Sequence, residues 1–207
     1  MDAFSILRAI LVVAAAYVIG GIPWAVIVAR VTGGPDPRKV GSGRTGGSNA
    51  VRALGRRRGI ASGLLDASKG SVAVALALLS GAGTLVAVLA ALAAIVGHSR
   101  SIFLNFGGGR GIAPSFGALL VIQPVVAVAI LPVFLGMILI TKYSSLGSLS
   151  ASLAAGVLLA LLTALVPLDP WLYVYAVAGP TLIWAFHHDN IARLLAGTER
   201  KVGTPRT

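Results

Sequence analysis

Long runs of apolar residues alternate along this chain of 207 residues with short polar segments that are rich in glycine. Several runs reach the roughly 17–25 residues that an α-helix needs to cross a bilayer. Their apolar positions are continuous rather than alternating, which argues against the short strands of a transmembrane barrel. The pattern predicts an all-α, polytopic integral membrane protein, and we expect residues 1–207 to form a single transmembrane domain.

Glycine and proline mark the places where two of the runs bend or break. The segment 20–23 (GGIP) predicts a kink in the first run, because proline lacks a backbone donor and glycine permits a bend. The run over 111–140 would form a helix about 45 Å long, whereas the bilayer core is about 30 Å thick. Gln123 and Pro124 offer the break that this length requires. The sequence therefore predicts seven crossings: 4–29, 48–79, 84–97, 111–122, 124–140, 145–166 and 171–186.

Basic residues indicate how these crossings are oriented. The chain has 17 Lys and Arg against 6 Asp and Glu, a net charge of +11, and Lys- and Arg-rich loops stay in the cytoplasm. The segments 30–47, 98–110 and 141–144, the tail from His187 and the adjoining helix margins contain every Lys and Arg except Arg8. We therefore predict an external N-terminus, a cytoplasmic C-terminus and polar motifs that all lie on the cytoplasmic side. No nucleic-acid partner is expected, since no soluble domain is predicted to carry a binding face.

The residue types that are missing or rare exclude several chemistries. With no cysteine, the chain cannot form disulfides, thiolate metal sites or a thioester intermediate. Two-metal phosphoryl transfer uses clustered carboxylates, and the few acids here are scattered. They are Asp2, Asp36, Asp66, Asp169, Asp189 and Glu199. The composition favours a reaction on an anionic substrate that needs no metal.

A glycine-, hydroxyl- and arginine-rich segment, 41–52 (GSGRTGGSNAVR), lies between the first two long apolar runs. Glycines let successive backbone N–H groups point into one concavity, and Ser42, Asn49 and Arg52 add directional donors that suit an oxyanion such as phosphate. No Gly-Lys-Ser/Thr closes the segment, so it is not a nucleotide P-loop. It indicates either a phosphate-binding loop or a flexible basic loop that fixes membrane topology.

A second glycine-rich segment follows Gly97 and His98 and ends in 106–111 (FGGGRG). The glycines before Arg110 indicate either a hinge or a re-entrant loop that binds an anion beside a helix start. His98 is one of two histidines for which the sequence predicts an acid or base function at the inner face.

The other is His187, in the tail segment 187–199 (HHDNIARLLAGTE). His187 and Asn190 are three residues apart and share a helical face, so His188 and Asp189 are predicted to point elsewhere. An imidazole and an amide at the membrane surface either anchor the helix end or form part of a site.

Four polar residues lie inside or at the start of apolar runs. Asp66 and Lys69 indicate either a local ion pair or charges that face a polar cavity, in a site-lining or site-supporting role. Ser145 and Ser148 suit a helix cap or helix packing, and they also lie on the predicted inner side.

Together the polar segments resemble the motifs of the bacterial acyl-phosphate:glycerol-3-phosphate acyltransferases, the PlsY family. The first family motif, approximately G-S-G-N-x-G-A-T-N-x-x-R-x-L-G, aligns without a gap with 41–55 (GSGRTGGSNAVRALG). The second, G-H followed by a spacer and F-x-G-G-K-G, is matched by Gly97-His98 and 106–111. The third, H-x-x-N-I-x-R-L-x-x-G-x-E, is matched over 187–199. The resemblance covers nearly the whole chain, in order and with similar spacing.

This resemblance implies a seven-helix enzyme that transfers a fatty acyl group from acyl phosphate to the 1-hydroxyl of glycerol 3-phosphate. The products would be lysophosphatidate and phosphate, in the first step of membrane phospholipid synthesis. It further implies no cofactor, no metal and no covalent acyl-enzyme. We expect a monomer among the lipids of the bacterial inner (cytoplasmic) membrane, with the active site facing the cytoplasm.

By position in the motifs, Ser42, Arg52 and Arg110 would hold phosphate groups, while His187 and Asn190 would orient glycerol 3-phosphate. The expected catalytic residues are His187, Asn190, Ser42 and Arg52. The residues expected to bind substrate or phosphate are Ser42, Gly43, Ser48, Asn49, Arg52, Lys69, His98, Gly108, Gly109, Arg110, Ser145 and Ser148.

The chain departs from the family pattern within the glycine loops. Arg44 stands in place of Asn, Gly47 and Ser48 in place of Ala and Thr, and Arg110 in place of Lys. Ser48 keeps a hydroxyl and Arg110 keeps a charge, but a guanidinium is a planar fork and an ammonium is a compact point charge. Two alternatives stay open: a small-anion transporter or channel built from broken helices, and a diverged relative that binds lipid phosphate without catalysis.

Overall fold

Helices make up the regular structure of the protein in a computed structural model, which describes residues 2–203. Within that range the one sheet-like pairing is a single bridge between Ser101 and Gly107. The all-α prediction is therefore confirmed. The α-helices are α1 (Ala3–Gly21), α2 (Trp24–Val31), α3 (Gly47–Leu54), α4 (Arg56–Leu79), α5 (Gly83–Ser99), α6 (Ile112–Ile122), α7 (Pro124–Ala129), α8 (Leu131–Thr141), α9 (Ser144–Leu165), α10 (Leu172–Phe186) and α11 (His188–Leu195).

Four stretches of helix in the described chain are long and apolar enough to cross a membrane. They are Ala3–Gly21, Arg56–Leu79, Pro124–Thr141 and Ser144–Leu165, and three shorter apolar helices are Gly83–Ser99, Ile112–Ile122 and Leu172–Phe186.

The predicted kink in the first apolar run is a complete break between α1 and α2. Pro23 precedes α2 and has no N–H to continue the helix. The break leaves the carbonyl of Ile22 available, and the ammonium of Lys69 donates to it at 2.9 Å. An interruption in one helix thus provides a partner for a charge that is buried on another.

The second predicted crossing, 48–79, is not one helix. Gly55 separates α3 from α4 and adopts φ +83°, a conformation that residues with a Cβ rarely take. The predicted crossing therefore contains two helices, because the helical backbone of α3 does not continue through a glycine in this conformation. α3 becomes a separate short helix at the polar end of the molecule.

The break predicted at Gln123 and Pro124 is confirmed, since α6 ends at Ile122 and α7 begins at Pro124. A second interruption follows at Ile130, and Pro132 occupies the first turn of α8. That second interruption was not predicted from the sequence.

Close helix packing depends on glycines that touch a neighbouring backbone. A Cβ added at Gly20 of α1 would collide with the backbone of Ala94 in α5, and one added at Gly117 of α6 would collide with the carbonyl of Ala67 in α4. Helices that meet through small residues are typical of membrane proteins.

At one end of the molecule lie the N-terminal end of α1 and the loops after α4 and α9. Arg8 Nη1 donates to the carbonyl of Ser80 at 3.0 Å, and the Asp169 carboxylate is hydrogen-bonded to the Thr84 side chain. The three polar segments meet at the other end, where Arg110 bonds to Asp189 at 2.8 Å and Val202 donates its N–H to the carbonyl of Lys142 at 2.7 Å.

Candidate active site

A cavity of about 410 Å³ opens at this polar end and extends between the helices. The two glycine loops and the tail form its mouth, and residues of α4, α6, α8, α9 and α10 line its interior. The interior is mainly apolar and includes Leu119, Ile130, Phe134 and Tyr175. A polar mouth above an apolar interior suits an amphiphilic ligand.

Asn49 holds the first glycine loop in shape. Its Oδ1 accepts a hydrogen bond from the backbone N–H of Ser42 at 3.1 Å. Its Nδ2 lies 2.8, 3.0 and 2.8 Å from the carbonyl oxygens of Pro37, Val40 and Arg44. The buried amide is thus occupied by the loop backbone, and its function in this geometry is to present the loop to the cavity.

A buried ionic cluster supports the second glycine loop. Lys69 Nζ lies 2.8 Å from Asp66 Oδ1 and 3.0 Å from His98 Nδ1, and all three residues are buried. Gly109 donates its N–H to the carbonyl of His98 at 3.0 Å, and a Cβ at Gly109 would collide with Nε2 of that imidazole. The cluster therefore fixes the position of the glycine loop that carries Arg110.

His187 is neutral and offers one ring nitrogen as an acceptor. Its Nδ1 lies 2.7 Å from the carbonyl of Ile183, which can only accept, so Nδ1 carries the proton and Nε2 has the lone pair. Burial lowers the pKa of His187 to about 4, because desolvation penalises the imidazolium. Beside it, Asn190 Oδ1 is buried without a hydrogen-bond partner among the described residues. The wall of the mouth thus presents two neutral acceptors.

Glu199 links three side chains at the mouth. Its Oε1 accepts from Asn190 Nδ2 at 2.7 Å and from Ser145 Oγ at 3.1 Å, and its Oε2 accepts from Arg193 Nε at 2.8 Å. The Glu199 side chain is only 7% exposed. Charge-assisted hydrogen bonds in such a site are strong and directional.

Arginines dominate the charge of the mouth. Among the described residues, those that line the cavity are Arg44, Arg52, Arg110, Arg193 and Arg200.

Asp189 pairs with three of these arginines: with Arg110 Nη2 at 2.8 Å, with Arg193 Nη1 at 3.3 Å and with Arg44 Nη2 at 3.9 Å. Partial burial alone would raise the pKa of Asp189. Hydrogen bonds from Arg110 and the charges of the three arginines outweigh that effect and hold this pKa well below its ordinary value.

As the sequence predicted, Asp189 does not line the cavity, whereas His187 and Asn190 do. The N–H of Ile191 donates to the carbonyl of His187 at 2.9 Å, so the helical turn assumed there is present. The sequence did not predict that the Asp189 carboxylate pairs with arginines of the mouth.

Most of the predicted site residues line the cavity, and three do not. Lys69 is held in the ionic cluster, Gly108 packs against the carbonyl of His98, and Gly43 lies in the loop outside the lining. Contact of these three with substrate stays a prediction, and Lys69 has the geometry of a supporting residue. The predicted residues in the lining are Ser42, Ser48, Asn49, Arg52, His98, Gly109, Arg110, Ser145, Ser148, His187 and Asn190.

Several residues of the site were not predicted from the sequence. Arg193 lies in the third motif and its basic type was a usable signal, whereas nothing in the sequence singles out Tyr175 or Phe134. No group of three His, Cys, Asp or Glu side chains suited to a metal ion occurs within residues 2–203.

Helices long and apolar enough to cross a membrane, together with an arginine-rich mouth over an apolar cavity, are typical of an integral membrane protein that acts on an anionic amphiphile. The family model for glycerol-3-phosphate acyltransferase matches residues 10–197, and the chain belongs to this family.

Relatives of known name and structure resemble the chain over nearly its whole length. It is 43% identical over 188 residues to the glycerol-3-phosphate acyltransferase of Thermus thermophilus, covering 91% of this chain and 92% of the relative. It is 43% identical over 197 residues to that of Synechococcus sp. strain JA-3-3Ab, with 95% of each covered. The crystal structure of PlsY (YgiH), an integral membrane glycerol 3-phosphate acyltransferase, in its glycerol 3-phosphate form has a TM-score of 0.86 at 34% identity, covering 95% and 96% of the two chains. Its lysophosphatidic acid form gives 0.85 at 31% identity with the same coverage.

Proposed function

We propose that the protein transfers an acyl group from acyl phosphate to the 1-hydroxyl of glycerol 3-phosphate, giving lysophosphatidate and phosphate for phospholipid synthesis. One observation carries the proposal: arginines from three separate segments, Arg52, Arg110 and Arg193, meet beside the neutral acceptors of His187 and Asn190 over an apolar interior. The names of the relatives, and a solved relative with glycerol 3-phosphate and lysophosphatidic acid forms, support the same substrate and product.

In the proposed reaction the 1-hydroxyl oxygen attacks the acyl carbonyl carbon, the bond from that carbon to the phosphate oxygen breaks, and phosphate leaves. Acyl phosphate is already activated, so positioning and neutralisation of charge supply the catalysis without a metal, a cofactor or an acyl-enzyme. Nε2 of His187 accepts a hydrogen bond from the glycerol and orients it. The proton of the 1-hydroxyl goes to the departing phosphate, because the oxygen released from the acyl carbon gains a negative charge and is a stronger base than an imidazole whose pKa is about 4.

The acyl chain lies in the apolar interior of the cavity in this proposal. Tyr175 lies twelve residues before His187, or about 18 Å along α10. Its buried hydroxyl donates to the carbonyl of Ser115 at 3.1 Å and lies 2.9 Å from the hydroxyl of the same residue. Since those polar groups satisfy one another, the cavity does not continue as a polar path, and an acyl group fits its interior better than a permeating anion does.

We further propose seven crossings as a single domain, an external N-terminus and a cytoplasmic active site in the bacterial inner membrane, in a monomer. The separation of the two ends supports this orientation. The glycine loops and the tail share one end with most of the basic residues, while the loops near Ser80 and Asp169 share the other with Arg8.

The donor and the metal-free mechanism are tested together. The protein, purified in lipid, is given glycerol 3-phosphate with either palmitoyl phosphate or palmitoyl-CoA, with and without a metal chelator. We expect lysophosphatidate to form from palmitoyl phosphate at the same rate with and without the chelator. Formation from palmitoyl-CoA alone, or a loss in chelator that added metal restores, would overturn the assignment.

A further inference from the structure

The carboxylate of Asp189 stands behind the arginines of the mouth and is not part of the cavity lining. It holds Arg110 by two bonds, from Nε to Oδ1 at 3.3 Å and from Nη2 to Oδ2 at 2.8 Å. A guanidinium has five N–H donors in a rigid fork. Two of them are used by Asp189 along one edge, and the other edge of Arg110 remains for a ligand in the cavity.

The same carboxylate gathers arginines from two other parts of the chain. Arg193 of α11 reaches Oδ2 at 3.3 Å, and Arg44 of the first glycine loop lies 3.9 Å from it. Arg193 is fixed on its other side by Glu199 at 2.8 Å. The side chains of Arg44, Arg110 and Arg193 are only 17–26% exposed, so their mutual repulsion is incompletely screened by solvent.

We propose that Asp189 is a positioning residue for phosphate binding: it neutralises the repulsion among Arg44, Arg110 and Arg193 and aims the free edge of Arg110 into the cavity. The inference rests on the proposed function and adds a determinant of its phosphate site. No contact between Asp189 and substrate is required.

Removing the carboxylate has two opposed effects on anion binding. The extra positive charge attracts phosphate, but the carboxylate lies on the far side of the guanidiniums and its repulsion of a ligand is therefore weak. Losing it releases long side chains with considerable rotamer freedom and lets three like charges move apart. The loss of positioning dominates, so binding weakens although the net charge rises.

Isothermal titration calorimetry of inorganic phosphate with the full-length protein in detergent tests whether the affinity for phosphate falls or rises. We expect Asp189→Asn to weaken binding about tenfold and Asp189→Glu to recover most of the loss. Asp36→Asn is a matched control, because Asp36 also pairs with an arginine, Arg38 at 2.6 Å, and its side chain is 26% exposed against 24% for Asp189. Equal or tighter binding of phosphate by Asp189→Asn would overturn the proposal.

A second comparison asks whether the two residues act as a unit. Lysine has no second edge to present, so Arg110→Lys should also weaken phosphate binding, and adding Asp189→Asn to it should cost little more. Additive losses in the double variant would count against positioning. Should Asp189→Asn not be recovered folded, Asp189→Ser with Arg110→Lys gives the same cycle, because serine also removes the carboxylate.

Kinetics separate this proposal from the proposed function. In a protein that forms lysophosphatidate, Asp189→Asn should raise KM for glycerol 3-phosphate more than it lowers kcat, which a merely loosened fold would not do. Calorimetry of phosphate requires no turnover. A wild-type protein without acyl transfer but with Asp189-dependent phosphate binding would refute the enzyme and uphold the positioning residue, whereas turnover with Asp189-independent binding would do the reverse.

Discussion

Asn190 Nδ2 donates a hydrogen bond of 2.7 Å to Glu199 Oε1, and this contact decides which end of the Asn190 amide is free. Because the amino group donates to Glu199, Oδ1 remains as a buried acceptor without a partner among the described residues, and Asn190 lines the same cavity as His187. Two neighbouring acceptors match the hydroxyl donors of a glycerol backbone better than they match a phosphate. In the proposed function, His187 and Asn190 therefore bind the neutral part of the acceptor, and the arginines bind its charge.

Glu199→Gln should therefore weaken the binding of glycerol 3-phosphate without abolishing it. A glutamine can present its own amino group to Asn190 and loses charge-assisted bonds of about 1.5–3 kcal/mol each. We expect KM for glycerol 3-phosphate to rise about tenfold or more in steady-state assays. Thr198→Ala is the control, since the side chain of that exposed neighbour makes only a 3.5 Å contact with the carbonyl of Arg193. Unchanged kinetics in Glu199→Gln would remove Glu199 from the site.

Alanine at Ser42, Arg52 or His187 should lower kcat/KM at least a hundredfold, or about 2.7 kcal/mol of transition-state stabilisation. All three residues line the cavity, Ser42 and Arg52 from the first glycine-rich segment and His187 from the tail. Alanine at positions 56–58, which are exposed, should change membrane insertion or expression rather than kcat/KM. Steady-state rates with elution profiles in detergent distinguish the two classes, and normal turnover in all three site variants would refute the site.

The sequence predicted the residues that line the cavity better than the residues that support its loops from within the protein. Loop positions such as Ser42 and Arg52 could be identified because glycine-rich segments with donors carry a chemical signature of their own. Asn49 looked like a ligand of the same kind, yet its amide is consumed by the loop backbone. Local residue types do not reveal whether a donor faces the cavity or its own loop, since that depends on the fold of the surrounding chain.

The positions of the helix breaks were also only partly predictable from the sequence. The interruptions at Pro23 and Pro124 were predictable, because proline removes a backbone donor wherever it lies. The separation at Gly55 was not, since a lone glycine is tolerated in helices. The pairing of Asp189 with Arg110 was not predictable either, because it joins residues 79 positions apart and helical periodicity carries no information on contacts between distant segments.

Gly109→Ala should abolish activity through a steric effect. The added Cβ would meet Nε2 of His98, which the ionic cluster holds in place, so the loop carrying Arg110 must move. We expect at least a hundredfold loss of kcat. Gly136→Ala in α8 is the control, because a Cβ there has open space and alanine favours helix by roughly 0.5–1 kcal/mol. Full activity in Gly109→Ala would show that this close packing is not required.

The low pKa of His187 predicts a specific dependence of stability on pH. Its pKa is about 4 when folded and near 6.5 when unfolded, so the neutral form favours the fold. The contribution is complete above about pH 6.5 and is lost as the pH falls toward 4, a change of roughly 3 kcal/mol. Unfolding midpoints of the wild type should therefore fall more steeply across that window than those of His187→Gln. NMR spectra of the imidazole groups, compared between the wild type and His187→Gln, identify the titration of His187. A titration midpoint near pH 6.5 for His187 would contradict the buried neutral ring.

The most direct test of acyl transfer is release of inorganic phosphate from palmitoyl phosphate by the purified protein in lipid, with and without glycerol 3-phosphate. We expect release that depends on the acceptor, with lysophosphatidate formed in equal amount. Phosphate release at the same rate with and without glycerol 3-phosphate, or no phosphate release, would contradict acyl transfer. The arginine-rich mouth would then bind its anion for another purpose.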